Sequence, residues 1–113
     1  MISGVLDRRK KRLLVEIRAE LTGTHVQPLR EGLSAIIKAH PDSGWKAIYL
    51  DARQARMIDS NGLNWLMVES CKIRKMKRDL VIRIASPAIY RVMDFAGLDR
   101  LATIKFRRRR QVR

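Results

Sequence analysis

The chain of 113 residues has a single cysteine, Cys71. One thiol cannot form an internal disulfide, so the cytoplasm is the default expectation. With only two histidines beside it, His25 and His40, no closely spaced set of metal ligands can be written. Aromatic residues are 5% of the chain, too few for a base-stacking platform. No apolar stretch approaches the ~20 residues a membrane helix needs. The stretch Ile2 to Leu6 is too short for a secretory signal, and the basic cluster follows it instead of preceding it. No glycine-rich phosphate loop, Gly-x-Ser-x-Gly elbow or His-Glu-x-x-His is present, so the reading is a protein that is not an enzyme and takes no cofactor. There are no internal repeats and no linker, so residues 1–113 read as one domain.

Acidic residues are also scarce, at 11 against 25 Lys and Arg, for a net charge of +14. Two blocks hold most of the excess: residues 8–12 (Arg8, Arg9, Lys10, Lys11, Arg12) and the end segment 107–113 (Arg107, Arg108, Arg109, Arg110, Arg113). Without those ten, 15 basic residues face 11 acidic ones. A third cluster runs from Lys72 through Arg74, Lys75 and Lys77 to Arg78. The plain reading is solvated ends that keep the chain soluble. The sharper one is weak contact with a polyanion, either nucleic acid or an anionic membrane. The blocks contain no aromatic residue to stack on bases.

Apolar residues make up 46% of the chain, enough for one core. Ile2 to Leu6 is expected to pair as a strand with Leu13 to Ala19, whose alternation sends Val15, Ile17 and Ala19 to one face. Val26, Leu29, Leu33, Ile36 and Ile37 recur at helical spacing after Thr24, a candidate N-cap, and the helix should stop near His40 because of Pro41. Ala47 to Asp51 reads as a strand. Asn61 to about Lys77 reads as a helix with Leu63, Leu66, Met67, Ser70, Cys71 and Arg74 on one stripe. That stripe makes Cys71 a small core residue. Trp65 lies off it and is expected to pack in the core or at its edge. Leu80 to Ile84 is a further strand. Ser86-Pro87 opens a helix with an apolar face of Ile89, Val92, Met93 and Ala96, ended by Gly97. Thr103 to Phe106 is the last strand. Met57, Met67, Met76 and Met93 read as core filler. The alternation of helices and strands predicts an α/β fold: a mixed β-sheet of four to five strands with helices mainly on one face.

The most informative stretch is Ile48-Tyr49-Leu50-Asp51 followed by Met57-Ile58-Asp59-Ser60-Asn61-Gly62-Leu63. A buried strand ends in an acid, and a loop delivers Asp59 and Ser60 to a helix start, where either side chain can accept from the free N–H groups. A receiver domain with Asp51 as phosphoacceptor would need paired acidic residues after the first strand, and these are missing.

In this stretch the chain resembles the STAS domain, the fold of bacterial anti-sigma-factor antagonists and of the cytoplasmic tails of anion transporters. The family pattern is Asp-Ser-x-Gly-Leu after a strand ending in Asp. Asp59-Ser60-Asn61-Gly62-Leu63 after Asp51 is similar to it. So are Ala19-Glu20-Leu21, where the family usually has Gly-Glu-Leu, and Phe95-Ala96-Gly97-Leu98. The likeness covers about Leu13 to Ile104. It implies a non-enzymatic regulator of bacterial transcription that binds an anti-sigma factor with serine kinase activity. The switch would be phosphorylation of Ser60, reset by a phosphatase, and the docking residues would be Asp59, Ser60, Asn61, Gly62 and Leu63. Asn61 stands where many relatives carry a second Ser, Thr or Ala. A homodimer stays open. The alternative that the resemblance offers is a STAS subunit of a membrane-associated lipid-transport ABC complex, which the basic ends would suit. Nucleic-acid binding through the basic blocks is a third reading.

Overall fold

The computed structural model describes residues 1–41 and 44–107. Period-two alternation sets its sheet. The hairpin of β1 (Ile2–Asp7) and β2 (Arg12–Ile17) is antiparallel. β2 buries Leu13, Val15 and Ile17 and leaves Leu14 and Glu16 half-exposed. β3 (Ala47–Asp51) and β4 (Asp79–Ile84) repeat this with Ile48 and Leu50, then Leu80, Ile82 and Ile84. β5 (Thr103–Phe106) closes the sheet in the order β1-β2-β3-β4-β5, and every pairing after the hairpin is parallel.

Three helices connect the parallel strands: α1 (Gly23–Lys38), α2 (Ser60–Lys75) and α3 (Pro87–Phe95), the last followed by a 3-10 turn, Leu98–Arg100. Each crossover joins neighbouring strands and steps the same way. The right-handed rule then places all three helices on one face. The buried alternate residues of β2, β3 and β4 meet that layer, and Tyr49 and Leu14 stay half-exposed on the other side. The expected mixed sheet with helices on one face is therefore observed.

Parallel strands with returning helices give the molecule two distinct ends. The strand-to-helix connections, with Leu21, Asp51 and Asp59, gather at the carboxyl ends of the strands. The β1–β2 turn, Trp45 and Arg78 gather at the amino ends. There the Lys46 N–H donates to the Lys11 carbonyl (2.7 Å) and the Asp79 N–H to the Lys46 carbonyl (3.0 Å).

Several local expectations change. The strand after the hairpin turn ends at Ile17, two residues before Ala19. The N-cap of α1 is Thr22, not Thr24. The inward face of α2 is Gly62, Trp65, Leu66, Glu69, Ser70 and Ile73, about one residue's rotation from the expected stripe. Cys71 is consequently exposed, and Trp65 is wholly buried in the core. The cause is Gly62. It must face the backbone at Leu21, and this fixes the phase of everything three and four residues on. Val92, Met57 and Met76 are exposed where a core role was expected, whereas Met93 is buried. Ser86 caps α3 as expected, accepting from the Ile89 N–H at 3.2 Å, and Gly97 takes φ 74 after the helix. Residues 108–113 of the basic end segment, and Asp42 and Ser43 of the turn after Pro41, lie outside the described residues.

Candidate functional site

The site begins with a short parallel pairing outside the main strands. Leu21, just after β2, bridges Ile58, just before α2. The Leu21 N–H donates to the Met57 carbonyl (3.0 Å), and the Asp59 N–H donates to the Leu21 carbonyl (3.1 Å). Glu20 adds a side-chain clamp: its Oε1 accepts from the Arg56 N–H (2.6 Å) and the Met57 N–H (3.3 Å). The loop carrying the Asp-Ser-Asn-Gly-Leu stretch is thus sewn to the start of α1. A Cβ at Gly62 would run into the Leu21 carbonyl, so only glycine allows this approach.

Asp59 joins the two helices electrostatically. Its Oδ1 accepts from the Gly62 N–H (2.9 Å), which makes it the N-cap of α2. Its Oδ2 accepts from the Gly23 N–H (2.8 Å), the first residue of α1. One carboxylate therefore satisfies orphan donors of both helix N-termini and faces the positive end of both dipoles. The Gly23 N–H, and next the Gly62 N–H, hold its carboxyl below the ordinary aspartate value. Thr22, the nominal cap of α1, makes no side-chain cap bond, and its Oγ1 lies 3.1 Å from His25 Nδ1.

Either Asp59 or Ser60 could have capped α2, and Asp59 does. Ser60 is the first residue of the helix and is exposed, and no hydrogen bond to its hydroxyl is found among the described residues. Asn61 is exposed beside it and lies over Gly23, where an added Cβ would stand 2.7 Å from Asn61 Nδ2. Gly62 is buried, and Leu63 is half-buried against the core. Of the five residues singled out in the sequence, Asp59, Ser60 and Asn61 reach solvent, and the other two hold them in place. Asp51 sits apart at the end of β3. Its Oδ1 accepts from the Arg53 N–H (3.1 Å), and its carboxylate takes a two-pronged contact from the Arg53 guanidinium (2.9 and 2.7 Å). That hydrogen-bonded guanidinium holds the Asp51 carboxyl below its usual value.

Two contributors were not legible beforehand. Glu20 accepts from backbone and the Gly23 N–H donates to the Asp59 carboxylate, each with a partner some 36 residues away in sequence. The only trace in the sequence was Glu20 within Ala19-Glu20-Leu21. Among the described residues no group of three His, Cys, Asp or Glu side chains could hold a metal, and no helix is long and apolar enough to cross a membrane.

A family model described as the Mlab, STAS domain matches residues 5–104. The chain belongs to the STAS family. Solved STAS relatives share its architecture at low sequence identity. One is a Thermotoga maritima protein provisionally assigned as an anti-sigma factor antagonist, with 15% identity, a TM-score of 0.75 and coverage of 94% of this chain and 86% of that one. Another is an anti-sigma factor antagonist from Mycobacterium paratuberculosis, with 18% identity, a TM-score of 0.73 and coverage of 93% and 86%. A third is the Bacillus cell fate determinant SpoIIAA in its phosphorylated form, with 15% identity, a TM-score of 0.64 and coverage of 92% and 90%. At these identities the likeness is one of fold.

Proposed function

We propose that this STAS domain is a cytoplasmic anti-sigma-factor antagonist, a binding module and not an enzyme, switched by phosphorylation of Ser60. The observation that carries the reading is the division of labour at the start of α2: Asp59 takes the capping bonds, and the Ser60 hydroxyl is left exposed and unpartnered among the described residues. Because Asp59 carries the capping bonds, modification of the Ser60 hydroxyl would break no hydrogen bond that holds the helix.

A phosphoryl group on Ser60 would add about −1.5 to −2 charges next to free N–H groups at a helix N-terminus, where anions are tolerated. The fold would persist, and the surface around Asp59, Ser60 and Asn61 would change sign and bulk. An anti-sigma factor with serine kinase activity would bind the unmodified surface, release the modified one and regain it after a phosphatase acts. Gly62 and Leu63 serve by positioning that surface. Incubation with such a kinase and ATP, read by intact mass, should add one phosphoryl group to the parent and none to Ser60→Ala. Circular dichroism of the modified protein should match the parent.

A second reading is favoured by the Mlab description of the matching family model. In it the chain is the STAS subunit of a membrane-associated lipid-transport ABC complex and docks through the same loop. Co-purification with an ATPase subunit, unaffected by Ser60→Ala, would select it.

A further inference from the structure

At the end opposite Ser60 the structure gathers cations from separate stretches of sequence. The β1–β2 turn presents Arg8 to Lys11, all exposed. Lys46 is bonded to that turn through backbone and is itself bonded to Asp79, so the β1–β2, α1–β3 and α2–β4 connections adjoin. The last adds Lys75, Lys77 and Arg78. The Arg78 guanidinium lies 3.7 Å over the ring of the buried Trp45, whose Nε1 donates to the His40 carbonyl (2.8 Å). Arg74 Nη1 donates to the Arg100 carbonyl (3.1 Å), which ties the 3-10 turn after α3 to the same end. Acids are present but fewer. Asp7 is paired with Arg12 at 3.3 Å, while Asp79, Asp94 and Asp99 are exposed.

Two further features at this end require explanation. Lys11 and Lys77, one in each of two adjoining connections, hold φ of 52° and 59°. That left-handed region favours glycine, and a lysine there is kept against a conformational cost. Lys77 occupies the position just past a helix where glycine is the common choice. Phe95, the last residue of α3, is 97% exposed, and Met76, just past α2, is 40% exposed. α3 runs back from the carboxyl end of β4 toward the amino end of β5, so its last residue lies on the side of the basic end. Solubility would be served by lysines in relaxed positions, and it gives no reason for a bare phenylalanine.

We propose that this basic end is a docking surface for an anionic lipid membrane, with lysines held at the headgroups and Phe95 inserted between them. Charge alone would suit nucleic acid equally. The apolar pair Phe95 and Met76 favours the bilayer, because both side chains can bury apolar surface in it, whereas a strand-binding groove stacks successive bases on several rings and here Trp45 is buried. Docked in this way, the molecule holds the Ser60 end away from the membrane and open to a protein.

The test is sedimentation of the full chain with vesicles of phosphatidylglycerol mixed into phosphatidylcholine, against pure phosphatidylcholine. Binding is expected only to the mixed vesicles and should weaken as salt rises. Each lysine removed should cost about fivefold in affinity. The double variant Lys11→Gly with Lys77→Gly should therefore bind about 25-fold more weakly. Its thermal midpoint should hold or rise, because glycine suits both positions. Phe95→Ala, with charge unchanged, should bind roughly tenfold more weakly. Arg56→Gln, at the other end, and Ser60→Ala should bind like the parent, which separates this proposal from the phosphoswitch. The proposal is overturned if the mixed vesicles do not retain the protein, or if they retain the double lysine and Phe95 variants as well as the parent. Salt-sensitive binding to duplex DNA that is indifferent to Phe95, without vesicle binding, would also overturn it.

Discussion

The two ends of this domain are built on opposite principles. At the carboxyl ends of the strands the acids are committed: Asp59 to two helices, Glu20 to a loop, Asp51 to Arg53. The exposed Ser60 hydroxyl beside them has no hydrogen-bond partner among the described residues. At the amino ends of the strands the surface is cationic, two of its lysines hold left-handed backbone, and an aromatic ring projects into solvent. One end is tied together around a single exposed hydroxyl. The other is a broad surface of exposed cations.

Substitutions should break this contrast in a definite order. Gly62→Ala should do the most damage, roughly 3 kcal/mol in a denaturant titration, because the new methyl group meets a backbone carbonyl that cannot swing aside. A cost within error would mean that Leu21 and α2 are not held as described. Asp59→Asn comes next. The amide has one acceptor oxygen where two bonds were made, so the thermal midpoint at neutral pH should fall. The parent's advantage rests on a depressed carboxyl pKa. It is therefore complete above the unfolded value of about 3.9 and is lost as pH falls through the lower folded value. The two midpoints should converge in acid. A gap independent of pH would show that charge is not what holds the helix ends together.

Smaller effects sharpen the contrast. Lys77→Gly should raise stability by about 0.5–1 kcal/mol, since φ 59° strains lysine and not glycine. Ser60→Ala should change stability by less than about 0.5 kcal/mol, as expected for a surface residue that is not a cap. A loss of about 1 kcal/mol, the usual worth of an N-cap, would return the capping role to Ser60.

The sheet was legible because alternation is a property of single strands. Leu80, Ile82 and Ile84 face inward whatever lies above them. The start of α3 was legible for the same reason, since Ser86 and Pro87 act on their own helix. What could not be read was anything fixed by contact between distant segments. The apolar pattern put the wrong stripe of α2 inward, because it does not show Gly62 meeting Leu21, and that one contact exchanges Trp65 for Cys71 in the core. In the sequence Asp59 and Ser60 were equivalent candidates for one cap, and Gly23, across the fold, gives the carboxylate its second donor. The basic residues were plainly visible as blocks. That three of the connections carrying them share one end with Phe95 follows only from the direction in which the helices return.

In the proposed switch, one exposed hydroxyl at the start of α2 governs whether a partner stays bound. Its most direct test is a binding titration of the anti-sigma kinase against the parent protein before and after treatment with ATP, with Ser60→Ala alongside. Treatment should add one phosphoryl group to the parent and abolish its binding, while Ser60→Ala should take up none and stay bound. Phosphate taken up by Ser60→Ala, or a modified parent that binds as tightly as before, would contradict it.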